Sequence, residues 1–561
     1  MKHGGIKIFI LWLTLVMTIS SSCNQSRETK ESSGAVPFLW ENANIYFLLT
    51  DRFYNADRSN DLNFDRTDEP AMMRGFLGGD IAGVIHKLEE GYFDELGVTA
   101  LWLTPWFEQI HGSTDEGTGV TYGYHGYWTS DWSSMDPNFG TEEELALLVE
   151  TAHSHGIRII MDVIVNHTGP VTPLDPAWPR EWVRTGPPCT YQSYESTLNC
   201  TLVKNLPDIL TGSDQEVELP PALLEKWERE GRLEKEMAEL DEFFLRTGYP
   251  RSPRYYVIKW LTDLVRKYGI DGYRLDTAKH IEGGVWKELY GEASNALNAW
   301  RSEHPDNVLD HNDFYMVGEV YGYGISSDRQ YHFPDTSVDF FAEDIHSLIN
   351  FEFKYHATGS YEELFSTYSD KLHTTLKGKG VLNYLTSHDD GTPFDRERVK
   401  PMEAGTKLLL SPGGCQIYYG DESCRNLVIP GATGDATLRG PMNWDEMDQN
   451  LSRNGFVIGE VMDHYQKLGR FRKEHPSVGA GEHRIISSDP YLFKRSYSIG
   501  NYTDLVLVGL GLDKGEKTVE IGALFKEGTR LYDYYSQSYV TVEKGVAKVD
   551  SEFDIVLLGQ K

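Results

Sequence analysis

The chain has 561 residues, of which 40% are hydrophobic, 12% aromatic and 25% charged. That profile excludes a minimal binding module and a disordered chain, and allows one large domain with at least one smaller one. With 53 Lys and Arg against 85 Asp and Glu, the formal charge is −32, which repels nucleic acid and leaves neutral or cationic ligands.

Lys2, His3 and Lys7 precede an apolar run from Ile8 to Ile19, followed by Ser20, Ser21, Ser22 and Cys23. This is the order of an export signal, and the run is too short to span a bilayer well. A cysteine after small residues resembles a bacterial lipoprotein site, although Ser20 stands where such sites usually carry an aliphatic residue. Residues 1–22 are therefore expected to be removed, Cys23 to be lipidated for membrane attachment, and 23–36 to form a tether. The expected location is the periplasm or outer membrane; ordinary secretion with an incidental cysteine is the alternative.

From Ile45 onward, short apolar runs alternate with amphipathic helical stretches. Strands are predicted at 45–50, 100–103, 157–165, 272–275, 315–318, 338–341, 381–385 and 416–419, and helices near 84–96, 142–155, 254–268, 285–302, 361–376, 401–410 and 459–473. Eight strands with helices between them favour a (β/α)8 TIM barrel over an open sheet. The gap after the third strand is too long for a loop, so residues 168–250 read as an inserted subdomain, dividing the barrel into 37–167 and 251–476. Its charged stretch at 222–247 reads as a solvated helix with no chemical role. Residues 477–561 alternate in short strands and read as an antiparallel β-sandwich. Cys189 and Cys200 could close a small ring in an oxidising compartment, whereas Cys415 opens a buried-looking strand and suits a core thiol.

In a (β/α)8 barrel, polar residues at the carboxyl ends of the strands converge on one mouth. The fourth strand ends Gly272-Tyr273-Arg274-Leu275-Asp276, so Arg274 and Asp276 share a face and the guanidinium favours the ionised carboxylate. The fifth ends at Glu319 and the seventh at His388-Asp389-Asp390. Three strands thus deliver carboxylates to one mouth, the set that glycoside hydrolysis needs for an attacking anion, a proton donor and a charge stabiliser. The third strand ends Asp162-Val163-Ile164-Val165-Asn166-His167, with Asp162 and Asn166 on one face. Tyr122 to Trp128 has aromatics and glycines suited to a sugar platform. Asn55, Asp57, Asn60 and Asp61 place four oxygen-bearing side chains within seven residues, a pattern that suits Ca²⁺ without being an EF-hand.

Together, Asp162–His167, Gly272–His280, Val317–Val320 and Thr386–Asp389 resemble the signature regions of the α-amylase family of glycoside hydrolases. Trp106–Gly112 and Asp271–His280 are similar to the bacterial periplasmic members. The resemblance implies that Asp276 is the nucleophile, Glu319 the general acid/base and Asp389 the transition-state stabiliser of a retaining, endo-acting enzyme on starch or maltodextrins. It implies that Arg274 keeps Asp276 ionised, that His167 and His388 bind the sugar at the cleavage subsite with Tyr127 stacked beneath it, and that Lys279 and His280 contact leaving-side sugars. It further implies one Ca²⁺ between barrel and insertion, held by Asn166, Asp208 and the His280 carbonyl. A second would be held by Asn55, Asp57, Asn60, Asp61, Gly78 and Asp80. The alternatives are a transglycosylase or cyclodextrin-degrading enzyme of the same family and a non-catalytic starch-binding surface protein. A monomer is expected.

Overall fold

Eight parallel strands close into a barrel: β1 (Asn44–Leu48), β2 (Ala100–Leu103), β3 (Arg158–Val163), β4 (Gly272–Leu275), β5 (Tyr315–Gly318), β6 (Ser347–Asn350), β7 (Gly380–Tyr384) and β8 (Gly414–Tyr418). The computed structural model describes Met1 and residues 36–561 except Glu116 and Ala523. The predicted export segment, Cys23 and the tether up to residue 35 lie outside the described residues. Neighbouring strands pair in chain order, and β1 closes against β8. Runs such as Ile159-Ile160-Met161 and Met316-Val317 are buried because a parallel barrel covers its strands on both faces, with side chains inside and helices outside.

The barrel helices start and stop where local chemistry requires. A capping box of Thr141 and Glu144 opens α2 (Glu142–Ser154), after α1 (Ile81–Glu89), and satisfies amides that the first turn cannot pair. Pro253 opens α3 (Pro253–Tyr268), and Gly269 ends it at φ +79°, where a Cβ would lie 2.4 Å from Trp300. Then follow α4 (Gly283–Glu303), α5 (Tyr361–His373), α6 (Pro401–Leu409) and α7 (Ile458–Glu474). The single helix expected at 84–96 is broken at Gly91, which adopts φ +79°.

The sixth strand lies later than its predicted position of 338–341. There the chain makes only the two-residue strand Ser337–Val338 and then a 3₁₀ turn, Phe340–Glu343. The Asp339 carboxylate accepts the Phe341 amide at 3.0 Å, which caps the turn and ends the extended run. Phe340 and Phe341 are buried all the same, so apolarity there marks packing of a turn.

The insertion carries a two-stranded ladder, Val183–Arg184 with Asp208–Ile209, a disulfide between Cys189 and Cys200, and two helices, Pro221–Arg229 and Leu233–Thr247. The charged stretch is therefore two helices separated at Gly231, and it is docked, not solvated. Lys226 Nζ lies 2.6 Å from Asp131 and 2.8 Å from Glu108, and Arg232 Nη2 lies 2.7 Å from Asp131. Burial would raise the Asp131 carboxyl, but Lys226 and Arg232 hold it at about 2.

Beyond the barrel, the strands β9 (Glu482–Ser488), β10 (Tyr491–Ile499), β11 (Tyr502–Leu510), β12 (Gly515–Glu520), β13 (Arg530–Asp533), β14 (Ser538–Thr541), β15 (Val546–Ser551) and β16 (Ile555–Gly559) form an antiparallel C-terminal sandwich. Its sheets are β9-β10-β11-β16-β13-β14 and β12-β15, enclosing an apolar cluster that includes Leu507, Val519, Leu531 and Val556. Cys415 and Cys424 are buried free thiols. No helix of the described residues is long and apolar enough to cross a membrane.

Candidate active site

A cleft of about 580 Å³ opens at the carboxyl ends of the barrel strands, and Tyr127, His167, Asp276, Lys279, His280, Glu319, His388 and Asp389 line it. Arg274 is the remaining predicted site residue of the mouth and lies buried beneath. Register explains the meeting of Asp276 and Glu319. Leu275 pairs with Gly318 across β4 and β5, so the two acids leave neighbouring strands at the same level, with backbones about 5 Å apart. The Glu319 amide donates to the Leu275 carbonyl at 2.9 Å.

One guanidinium serves three carboxyls. Arg274 Nη1 lies 2.7 Å from Asp276 Oδ1 and 2.9 Å from Asp162 Oδ1, while Nη2 lies 3.1 Å from Glu319 Oε2. Asp162 is further held by Tyr127 Oη at 2.8 Å and Trp102 Nε1 at 3.0 Å. Thr277, directly after Asp276, adopts the left-handed region at φ +46°, a conformation that costs a β-branched residue energy. Its consequence is local: the Thr277 amide donates to Glu319 Oε2 at 2.8 Å.

Burial pushes the Glu319 carboxyl up to about 8, with Asp276 and Asp389 adding to the rise and Arg274 opposing it. A guanidinium already divided between two other carboxylates cannot offset desolvation of a third. Asp389 behaves oppositely: burial would raise it, but His388, Arg274 and Arg439 hold it below the usual carboxylate range. Burial depresses His388 to about 4 and lowers His167 as well, so both imidazoles are neutral near pH 7 and each can donate and accept. His167 Nε2 donates to the Tyr127 carbonyl at 3.2 Å, and its buried Nδ1 has no partner among the described residues. The Tyr127 ring lies parallel to the His388 ring, 5.2 Å between centroids.

Lys279 Nζ donates to the Tyr321 carbonyl at 3.1 Å and the Tyr331 hydroxyl at 3.3 Å, and burial lowers its pKa. His280 Nδ1 donates to the Thr197 carbonyl at 3.1 Å, just inside the disulfide loop.

Residues 47–481 match the description "Alpha amylase, catalytic domain". The periplasmic alpha-amylase of Escherichia coli (strain K12) is 35% identical over 533 residues, spanning 84% of this chain and 72% of that protein. The chain belongs to the α-amylase family of glycoside hydrolases. A cyclomaltodextrin glucanotransferase of Thermoanaerobacterium thermosulfurigenes is 24% identical over 537 residues, spanning 93% of this chain and 67% of that protein. The solved α-amylase of Geobacillus thermoleovorans, complexed with acarbose, shares the fold at a TM-score of 0.63 and 22% identity, spanning 94% of this chain and 100% of that one.

Some lining residues of this α-amylase-family cleft are absent from the set expected from the sequence. Arg439 Nε donates to the His388 carbonyl at 2.9 Å, and Asp435 bridges Arg439 and Arg74 at 2.7 and 2.9 Å. Tyr191 reaches the cleft from inside the disulfide loop, and Tyr321 faces it two residues beyond Glu319. Of these, only Tyr321 was findable, because its position relative to the strand end is fixed.

The two calcium sets expected from the resemblance differ in chemistry. In the 55–80 loop, Asn55 Oδ1 and Asn60 Oδ1 are buried acceptors without donors among the described residues. Gly78 sits at φ +88°, and a Cβ there would fall 2.3 Å from Asn55 Nδ2 and 2.4 Å from Asp61 Oδ1, so the site needs glycine. Asp80 is buried and accepts the amides of Ala56, Asp57 and Gly83. Unpaired oxygens around a tight loop fit a hard cation. The set of Asn166, Asp208 and the His280 carbonyl does not fit. A cation of the chain's own already stands there, since Arg184 Nε lies 2.8 Å from Asp208 Oδ2. Burial raises the Asp208 carboxyl to about 8, with Glu282 adding to the rise and Arg184 and a hydrogen bond with Asn166 opposing it.

Proposed function

We propose that this enzyme hydrolyses internal α-1,4-glucosidic bonds of starch and maltodextrins with retention of configuration. The observation that carries the reading is one arginine holding Asp276 and Glu319 side by side while burial keeps Glu319 protonated at neutral pH. Two carboxyls on adjacent nitrogens of one guanidinium suit the short spacing of retaining enzymes, about 5–5.5 Å, and leave little room for the water that inverting enzymes place between them. Asp276 attacks the anomeric carbon as Glu319 protonates the leaving oxygen. Water, deprotonated by Glu319, then breaks the glycosyl ester. Asp389 stabilises the oxocarbenium-like transition state. His167 and His388, both neutral, hydrogen-bond sugar hydroxyls, Tyr127 offers its ring beneath the cleavage-site glucose, and Lys279 and His280 meet the leaving-side sugars.

The test is product analysis on maltoheptaose, with the anomer followed by NMR. Shorter linear sugars released first as the α-anomer support the reading, and β-anomers would refute retention. Longer or cyclic products would favour the transglycosylase reading, which the similarity to cyclomaltodextrin glucanotransferases supports.

The 55–80 loop, through Asn55, Asp57, Asn60, Asp61, Gly78 and Asp80, is the calcium site of this reading, and the ion would staple the loop ahead of α1. Similarity to a periplasmic protein supports export; attachment through a lipidated Cys23 and a monomeric catalytic unit are proposed from the sequence alone. We retain the division into barrel, insertion at 168–250 and sandwich from 477 as part of the same proposal.

A further inference from the structure

The seam between barrel and insertion, where the family resemblance puts a metal ion, is closed by a cation of the chain's own. Arg184 and Asp208 stand opposite each other in the ladder Val183–Arg184 with Asp208–Ile209, and the guanidinium meets the carboxylate at 2.8 Å with both side chains largely buried. The other end of the guanidinium is fixed, since Nη1 donates to Asn199 Oδ1 at 2.8 Å, one residue before the disulfide at Cys200. Asp208 is tied to the barrel in turn. It pairs with His167 in an antiparallel bridge, the Ile209 amide donates to the Asn166 carbonyl at 2.7 Å, and the Thr168 amide donates to the Pro207 carbonyl at 3.0 Å.

We propose that Arg184 takes the place of calcium at this seam, so that the barrel–insertion junction of this chain is metal-independent. Calcium takes six to eight oxygens at 2.3–2.6 Å. Here one carboxylate oxygen is engaged by a guanidinium, and a divalent ion beside that fixed positive charge would be repelled in a buried, weakly screened setting. Arginine suits the exchange because it stays charged at any physiological pH and holds carboxylate and amide oxygens through several donors at once. The seam that a metal would staple is thus held by an ion pair from Asp208 to Arg184 and a hydrogen bond from Arg184 to Asn199, next to the disulfide at Cys200. The inference takes from the family resemblance only the expected metal position. It is read by metal content and stability, so failure of the assigned reaction would leave it standing.

The test uses the full chain stripped with EDTA and titrated with Ca²⁺ by calorimetry, together with crystals soaked in CaCl₂ and measured for anomalous scattering. The expected wild-type result is no calcium peak at Asp208, whatever occupies the 55–80 loop, and an unchanged Ca²⁺ stoichiometry in Asp208→Asn. Arg184→Gln, which removes the charge, is expected to bind one more Ca²⁺ per chain than wild type and to melt several degrees higher with Ca²⁺ than without, beyond any wild-type shift. A calcium peak between Asn166 and Asp208 in the wild type overturns the proposal, as does a folded Arg184→Gln with wild-type stoichiometry. If Arg184→Gln does not fold, the wild-type crystal decides alone.

Discussion

Replacing Glu319 with Gln isolates the energetic cost of ionising the proposed proton donor. Glu319 is buried, and its carboxyl moves from 4.5 to about 8 on folding. A carboxyl raised in the fold contributes stability in its neutral form, fully present below its unfolded value and lost as pH climbs through the folded one. At about 1.4 kcal/mol per pH unit between the two values, the ionised side chain costs on the order of 5 kcal/mol above pH 8, about 3 kcal/mol at pH 7 and under about 1 kcal/mol at pH 5. Gln keeps the shape without the charge, so Glu319→Gln is expected to be more stable than wild type by an amount that grows across that range. Urea unfolding at pH 5, 7 and 9 measures it, and contributions from titrating groups that do not interact with Glu319 cancel in the difference. A difference independent of pH, or a variant less stable than wild type at pH 9, would refute the reasoning. The same variant should lose about 10²–10⁴-fold in turnover, and the wild type's kcat/KM should fall on an alkaline limb near pH 8.

Asp276→Ala is expected to lower kcat by about 10⁴-fold or more while still binding starch in a pull-down; retained turnover would remove Asp276 from its role. Lys226→Met leaves Glu108 without its lysine and Asp131 with Arg232 alone, and should cost about 3 kcal/mol in denaturant unfolding, whereas a solvated lysine would cost almost nothing. Cys200→Ser opens a loop whose ends are 11 residues apart, which should destabilise by about 3 kcal/mol. Because the loop carries Tyr191 and contacts His280, KM for maltodextrins should rise more than kcat falls.

The barrel was legible because parallel strands covered on both faces leave continuous apolar runs, and because functional side chains sit at strand ends. Gly272 to Asp276 and Val317 to Glu319 carry both signals, so strand and chemistry pointed to one position. The sixth strand carries neither. Ser347-Leu348-Ile349-Asn350 has one apolar pair and polar ends, and the more apolar Phe340-Phe341 nearby belongs to a turn that Asp339 caps. The charged helices of the insertion were misread because composition cannot tell a solvated lysine from one that reaches a buried carboxylate some 95 positions away, as Lys226 reaches Asp131. Arg184 and Arg439 were invisible for the same reason, since their partners are fixed only by folding. The candidate catalytic acids were legible one strand at a time; their sharing of one guanidinium was not.

That sharing has a consequence for the reaction cycle. In the proposed cycle, Asp276 surrenders its negative charge on becoming an ester, which removes one of the two anions that raise Glu319 and releases part of the Arg274 guanidinium toward it. Both changes ease ionisation of Glu319 at the moment its proton has gone to the departing sugar, and so ready it to take one from water. When the ester breaks, the anion at Asp276 returns and the proton is driven back onto Glu319. The alternation between donor and acceptor thus needs no moving part, only the redistribution of a single fixed positive charge among its neighbours.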